Sequence, residues 1–242
     1  MGFDNYAARQ LSFMLCPFKN WGFIRSCWIW SYRANEKAKQ KNMVDYLLHV
    51  YRKGSRPFQT LSVLSDHKAL DIMKNLYVEG SVFWERFKQP VEYLQFRRQV
   101  ETKVRMDFVG KGGKPKEKYP IYLILGRPKW MDVSADQKTI ETTEIIEIPL
   151  STINPDEVSF TYPDSMVSAI MIVEKNPEYY EPDYHGKVFT LNEITEIVKE
   201  RGLPGEGWQT KMPKQYAHYI EAQVWNHEVL KNYLNKKGIQ SQ

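Results

Sequence analysis

Hydrophobic and polar positions alternate most clearly at the far end of the chain, in YIEAQVW at 219–225. Ile220, Ala222 and Val224 fall on one face of a strand, and Tyr219, Glu221, Gln223 and Trp225 on the other. Runs of the same kind recur upstream and predict further strands: YPIYLILG at 119–126, IIEIPLS at 145–151, EVSFTYP at 157–163 and MVSAIMIVE at 166–174. Another strand is expected at Tyr46–Tyr51, after a polar stretch with helical character. Helical spacing appears in SDHKALDIMKNLYVEG, where Leu70, Met73, Leu76 and Tyr77 share a side and Gly80 marks a stop. Pro90 opens a second helix, PVEYLQFRRQVETKVRMDF, with Val91, Leu94, Val100 and Val104 as its apolar stripe. A third is framed by a Thr190/Glu193 capping box and Gly202. Helices mainly precede strands, so the pattern predicts an α+β fold with residues 44–242 as one domain and 1–43 as an unassigned N-terminal extension.

Composition changes this picture little. The 242 residues suffice for a sizeable core, and a net charge of +5 permits nucleic-acid contact without requiring it. Two cysteines, Cys16 and Cys27, do not supply a metal-finger ligand set, so no metal is expected. The start MGFDNYAARQ lacks a signal-peptide pattern, and SFMLCPFKNWGFIRSCWIW is interrupted by Lys19 and Arg25. A reducing, cytoplasmic protein without membrane contact is the expectation.

Candidate chemistry is sparse. The glycine-rich GKGGKPKEK at 110–118 lacks the phosphate-loop pattern, and reads as a solvated basic loop or as a grip on a nucleic-acid backbone through Lys111 and Lys114. The Arg97–Arg98 pair could extend such a surface. Polar residues set within apolar strands carry more information. His49 ends YLLH, Tyr51 follows it, Arg127 follows IYLILG, Ser159 and Thr161 alternate in VSFT, and Glu221 lies in YIEAQVW. An arginine can clamp phosphates, and a carboxylate can hold a ribose hydroxyl and stabilise charge on a sugar as its glycosidic bond loosens.

The order of these elements resembles the DarT family of NAD-dependent DNA ADP-ribosyltransferases, toxins that modify bases in single-stranded DNA. LLHVY is similar to the family's YHxT, with Tyr51 in place of the threonine. PIYLILGRPKW is similar to PFYFxPRSPM, with Pro128 in place of the serine. SFTYPD resembles the F-T-D element, and YIEAQVW the glutamate-bearing QAEFLV strand. The resemblance spans roughly 44–235. It implies a split antiparallel sheet flanked by helices, NAD as substrate, and Glu221, Arg127 and His49 as catalytic residues. NAD contacts from His49, Tyr51, Ser159 and Thr161 and an antitoxin partner are also implied. The rival readings are a non-catalytic nucleic-acid-binding module, a restriction-type nuclease, or a transferase with an RNA or protein acceptor. Convergence of His49, Arg127 and Glu221 on one cleft is what the enzyme reading requires.

Overall fold

The chain is described by a computed structural model covering residues 44–238, apart from 82–83, 130, 132–136, 206–215 and 217. The segment 1–43, expected to be a separate extension, lies outside the described residues. From Met43 onward the chain forms a single compact unit. Five strands make one sheet: β1 (Tyr46–Arg52), β2 (Ile121–Leu125), β3 (Thr143–Pro149), β4 (Val158–Thr161) and β5 (Glu221–Val224). Their spatial order is β3-β1-β2-β5-β4, and every neighbouring pair is antiparallel. The helices are α1 (Asp66–Leu76), α2 (Pro90–Gly110), α3 (Gln137–Thr142), α4 (Ser165–Glu174), α5 (Leu191–Arg201) and α6 (His227–Lys237). The architecture is α+β, with strands and helices interleaved along the chain instead of segregated.

Both faces of the sheet are buried, as the two-sided apolar character of the strands requires. One face carries Leu47, Leu123, Ile148, Phe160, Ala222 and Val224, and packs against Ile194 and Val198 of α5 and Leu230 and Leu234 of α6. The other carries two separate apolar clusters. Leu48, Ile124 and Tyr219 meet Ala69 and Met73 of α1, Phe87, and Leu94 of α2. Further along α2, Val100, Val104 and Phe108 pack on Trp225 and Val188. Between these clusters the buried side of α2 holds Arg97 and Glu101, one helical turn apart. A polar seam therefore crosses this face at mid-sheet.

The run MVSAIMIVE forms α4, not a strand. Asp164 decides this: its carboxylate accepts from the backbone N–H groups of Met166 and Val167, both at 3.0 Å, and starts a helix in a sequence that is apolar all round. The first helix stops at Leu76, short of Gly80, and Val91 points outward from the α2 stripe. The capping box of α5 forms as expected, with Thr190 and Glu193 bonded reciprocally.

β1 stays with β3 along seven registered pairs but with β2 along only two, Leu47–Leu125 and Leu48–Ile124. Continued register would set Val50 opposite Tyr122. Instead the His49 ring enters the gap. Its Nδ1 donates to the Tyr122 carbonyl at 3.1 Å, and its Nε2 accepts from the Phe58 N–H at 2.9 Å. Both nitrogens are thereby used by the neutral ring, and burial lowers its pKa to about 4. The sheet opens beyond this point.

Because the folded pKa lies below the ordinary value of 6.5, the stability His49 contributes is fully present above pH 6.5 and is lost as pH falls through about 4. His49→Ala strands one backbone donor and one acceptor, and is expected to cost about 2–4 kcal/mol at pH 7.5. That is a Tm loss of roughly 5–15 °C. Thermal melts at pH 7.5 and 4.5 check this, and the gap between variant and wild type should shrink at the lower pH.

Candidate functional site

A cavity of about 470 Å³ occupies the opening. One wall is Leu48–Arg52 of β1 with the loop carrying Phe58, Thr60 and Leu61; the other includes Tyr122, Glu221 and the start of α4 at Asp164–Met166. Trp84, Phe87, Tyr93 and Tyr219 add aromatic surface, and Arg86 and Arg97 add positive charge. Arg86 is solvent-exposed.

Glu221 sits in this cavity with only 7% of its surface accessible. Its strand register assigns the face: Glu221 pairs with Ile124 on one side and Thr161 on the other. A directed chain of hydrogen bonds supports it from below. The Trp225 indole N–H donates to Ser159 Oγ at 2.9 Å, and Ser159 donates to Gln223 Oε1 at 2.9 Å. The Gln223 amide then donates to Thr161 Oγ1 and to Glu221 Oε1, each at 2.9 Å. The same carboxylate oxygen accepts the Ser165 backbone N–H at 3.1 Å. One oxygen is thus fixed by two donors and the carboxyl plane is set.

Burial, and then the nearby Asp164 charge, push the Glu221 pKa up to about 7 against the pull of these donors. Asp164 is also raised, first by burial, with its bonds to Val167 and Met166 and the charge of Arg86 opposing. Two carboxyl groups in one low-dielectric cleft cannot both ionise freely, so a proton stays with the pair near neutral pH. Tyr122 and Tyr219 are held neutral by burial and by the surrounding carboxylates.

Of the residues expected to form the site, Glu221, His49 and Tyr51 line the cavity. His49 does so as a staple between backbone groups, with neither ring nitrogen available for a ribose. Tyr51 stacks on His49 with 5.7 Å between ring centroids and donates its hydroxyl to Glu144 at 2.5 Å; desolvation, and then this bond, raise its pKa to about 12. Ser159 and Thr161 lie beneath the site and support Gln223; they do not line the cavity. Arg127 is exposed and is not among the described lining residues, so the three-residue convergence is incomplete.

The cations expected to grip nucleic acid are engaged within the protein. Arg97 is buried, its Nε donating to Glu101 at 2.9 Å and to Ser62 Oγ at 3.1 Å. Arg98 clasps the Leu61–Asp66 segment through the carbonyls of Ser62 and Leu64 and the Asp66 carboxylate. Lys111 binds both oxygens of Glu193 at 2.7 and 2.8 Å, and Lys114 binds Asp156 at 2.6 Å. The glycine-rich loop is therefore pinned to acidic partners. Asp164, Ser165, Thr60, Tyr122 and Arg86 are the site residues that strand periodicity did not reveal. For the first two the signal was present, as an Asp-Ser helix start before an apolar run.

No helix among the described residues is long and apolar enough to cross a membrane. Comparison with protein-family models, with curated proteins and with solved structures finds no match to this chain.

Since the folded pKa of Glu221, about 7, lies above its ordinary value of 4.5, its protonation favours the fold below pH 4.5 and that contribution is lost as pH rises through 7. Glu221→Gln keeps an acceptor for Ser165 and Gln223 but removes the charge. The variant is expected to exceed wild-type stability at pH 8 by on the order of 1–3 kcal/mol and to match it near pH 5. Paired denaturant titrations at the two pH values check the sign.

Proposed function

We propose that the protein is a mono-ADP-ribosyltransferase, a glycosyltransferase that uses NAD as donor. The observation that carries this reading is Glu221: a carboxylate fixed through one oxygen, poised near pH 7, and set in a cavity that also takes in His49, where β1 and β2 stop pairing. A split antiparallel sheet with a glutamate on the strand beyond the gap is the architecture that the DarT resemblance implies. The cavity residues also fit such a donor: arginines for its phosphates, aromatic rings for its bases, and a buried hydroxyl with no partner among the described residues, Thr60 Oγ1.

NAD supplies an activated ribosyl group whose bond to nicotinamide breaks with the electron pair returning to the ring nitrogen. Ionised Glu221 stabilises the positive charge that develops on the sugar, a role suited to a fixed dipole or charge in a water-poor cleft. As the acceptor's N–H nitrogen bonds to the sugar carbon, Glu221 takes the displaced proton and releases it to solvent. Asp164 tunes when that carboxylate is ionised. Trp225, Ser159, Gln223 and Thr161 hold it in position.

The proposed acceptor is a nucleic-acid base, in single-stranded DNA by the resemblance, with toxicity and an antitoxin partner as its consequences. With Arg97, Arg98, Lys111 and Lys114 tied internally, a strand would reach the cleft past Arg52 and Arg56 on its rim. Incubation with labelled NAD and, separately, single-stranded DNA, duplex DNA, RNA and protein is the test. Label should pass to one of these, with a rate that rises up to tenfold per pH unit below about 7 and levels above it. Glu221→Gln should lower transfer by about 10²–10³. Transfer undiminished in that variant would overturn the catalytic assignment.

A further inference from the structure

We infer that Arg97, with the hydroxyls of Tyr93 and Thr60, forms a preorganised receptor for the phosphoryl oxygens of a nucleotide diphosphate. This rests on the cleft assigned above to a nucleotide donor, and moves phosphate recognition from Arg127 to a residue on α2. Arg97 is a buried cation, with 10% of its side chain accessible, and that part lines the cavity. Its guanidinium is fixed on three sides. Nε is held by Glu101 and Ser62, Nη1 reaches the Tyr93 hydroxyl at 3.3 Å, and Cζ lies over the Tyr122 ring, 4.5 Å from its centroid. Tyr122 is itself anchored, donating its hydroxyl to Glu101 Oε1 at 3.0 Å. Among the described residues, Nη2 has no acceptor.

A guanidinium held this way loses little side-chain entropy on meeting an oxyanion, and presents its planar edge in one orientation. Glu101, fully buried, offsets the charge at Nε and leaves the far edge for a ligand. Burial alone would weaken the cation, but the Glu101 carboxylate bonded to Nε opposes this, and the guanidinium stays charged. With Nη1 donating to its oxygen, Tyr93 is free to turn its O–H toward the cleft. Thr60 Oγ1 is more than nine-tenths buried, has no hydrogen-bond partner among the described residues, and belongs to a residue that lines the same cavity as Arg97. Buried hydroxyls in native folds are normally satisfied. An orphan hydroxyl in the cavity that Arg97 also lines is a donor for a ligand oxygen. A second arginine of the cleft, Arg86, adds positive charge.

The test measures binding of ADP, with adenosine as the phosphate-free control, to the full chain by calorimetry. Wild type should bind ADP at least tenfold more tightly than adenosine. Arg97→Lys, which keeps charge but loses the fork, should erase most of that difference. Thr60→Val removes a hydroxyl that has no partner among the described residues. It should melt no lower than wild type yet bind ADP about 3–10-fold more weakly, so it carries the test even where Arg97→Lys fails to fold. Arg127→Ala should bind like wild type. Equal binding of ADP and adenosine by wild type, or loss of ADP binding in Arg127→Ala but not in Thr60→Val, would overturn the inference. ADP bound through these residues without any transfer of label from NAD would leave the receptor standing and remove the transferase reading.

Discussion

The two hydrogen bonds of the His49 ring are the constraint on which the rest of this structure depends. Without them β1 could continue along β2 in register, closing the ladder over Tyr122 and sealing the cavity. A side chain occupies the space where backbone would otherwise pair, satisfying the Tyr122 carbonyl on one side and the Phe58 N–H on the other. The opening therefore exists without orphaned main-chain groups at these two positions, which is the usual obstacle to parting a sheet in its interior. Phe58 takes a positive φ of 56° to present its N–H, an uncommon conformation for a non-glycine residue. It is tolerated because its ring packs 4.6 Å from the imidazole, centroid to centroid.

The polar seam above the sheet follows from the same opening. α2 runs across the face over both apolar clusters, and its buried side must cross the mouth of the cleft between them. Leu94 serves the first cluster and Val100, Val104 and Phe108 the second, which leaves 97 and 101 over the gap. Leucines there would collapse into the cavity. Arg97 and Glu101 instead span it, bonded to each other and to Tyr93, Ser62 and Tyr122. A buried ion pair is weak evidence for stability, since apolar replacements often stabilise as well or better. Its presence where packing could have been continuous argues for a role in keeping the cleft open and polar.

Much of the fold could be read from the chain because alternation and helix capping are local signals. β5 was legible down to its two faces, and α5 down to its capping box. MVSAIMIVE was not, since an apolar run of nine has the same appearance in a strand and in a buried helix. Only the Asp164 cap distinguishes them. Arg97 was taken for surface charge because its burial depends on Glu101 and Tyr122, the latter 25 positions away. His49 and Glu221 were visible as polar residues in apolar strands. Their different jobs were not, since these depend on which partners the sheet brings to each.

Those jobs impose opposite pH dependences on neighbouring parts of one cleft. The His49 staple needs a neutral ring and weakens as pH falls, whereas the Glu221–Asp164 pair is most comfortable with a proton retained and weakens as pH rises. The fold is thus strained from both directions, with its easiest conditions between about pH 5 and 7. A site selected only for stability would replace Glu221 with glutamine, keep both hydrogen bonds to Ser165 and Gln223, and remove the upper limit. Retaining a carboxylate there, with five residues from Trp225 to Ser165 arranged to hold its orientation but not to neutralise it, is a cost to folding that an ionisable group in the cleft explains and a structural role does not.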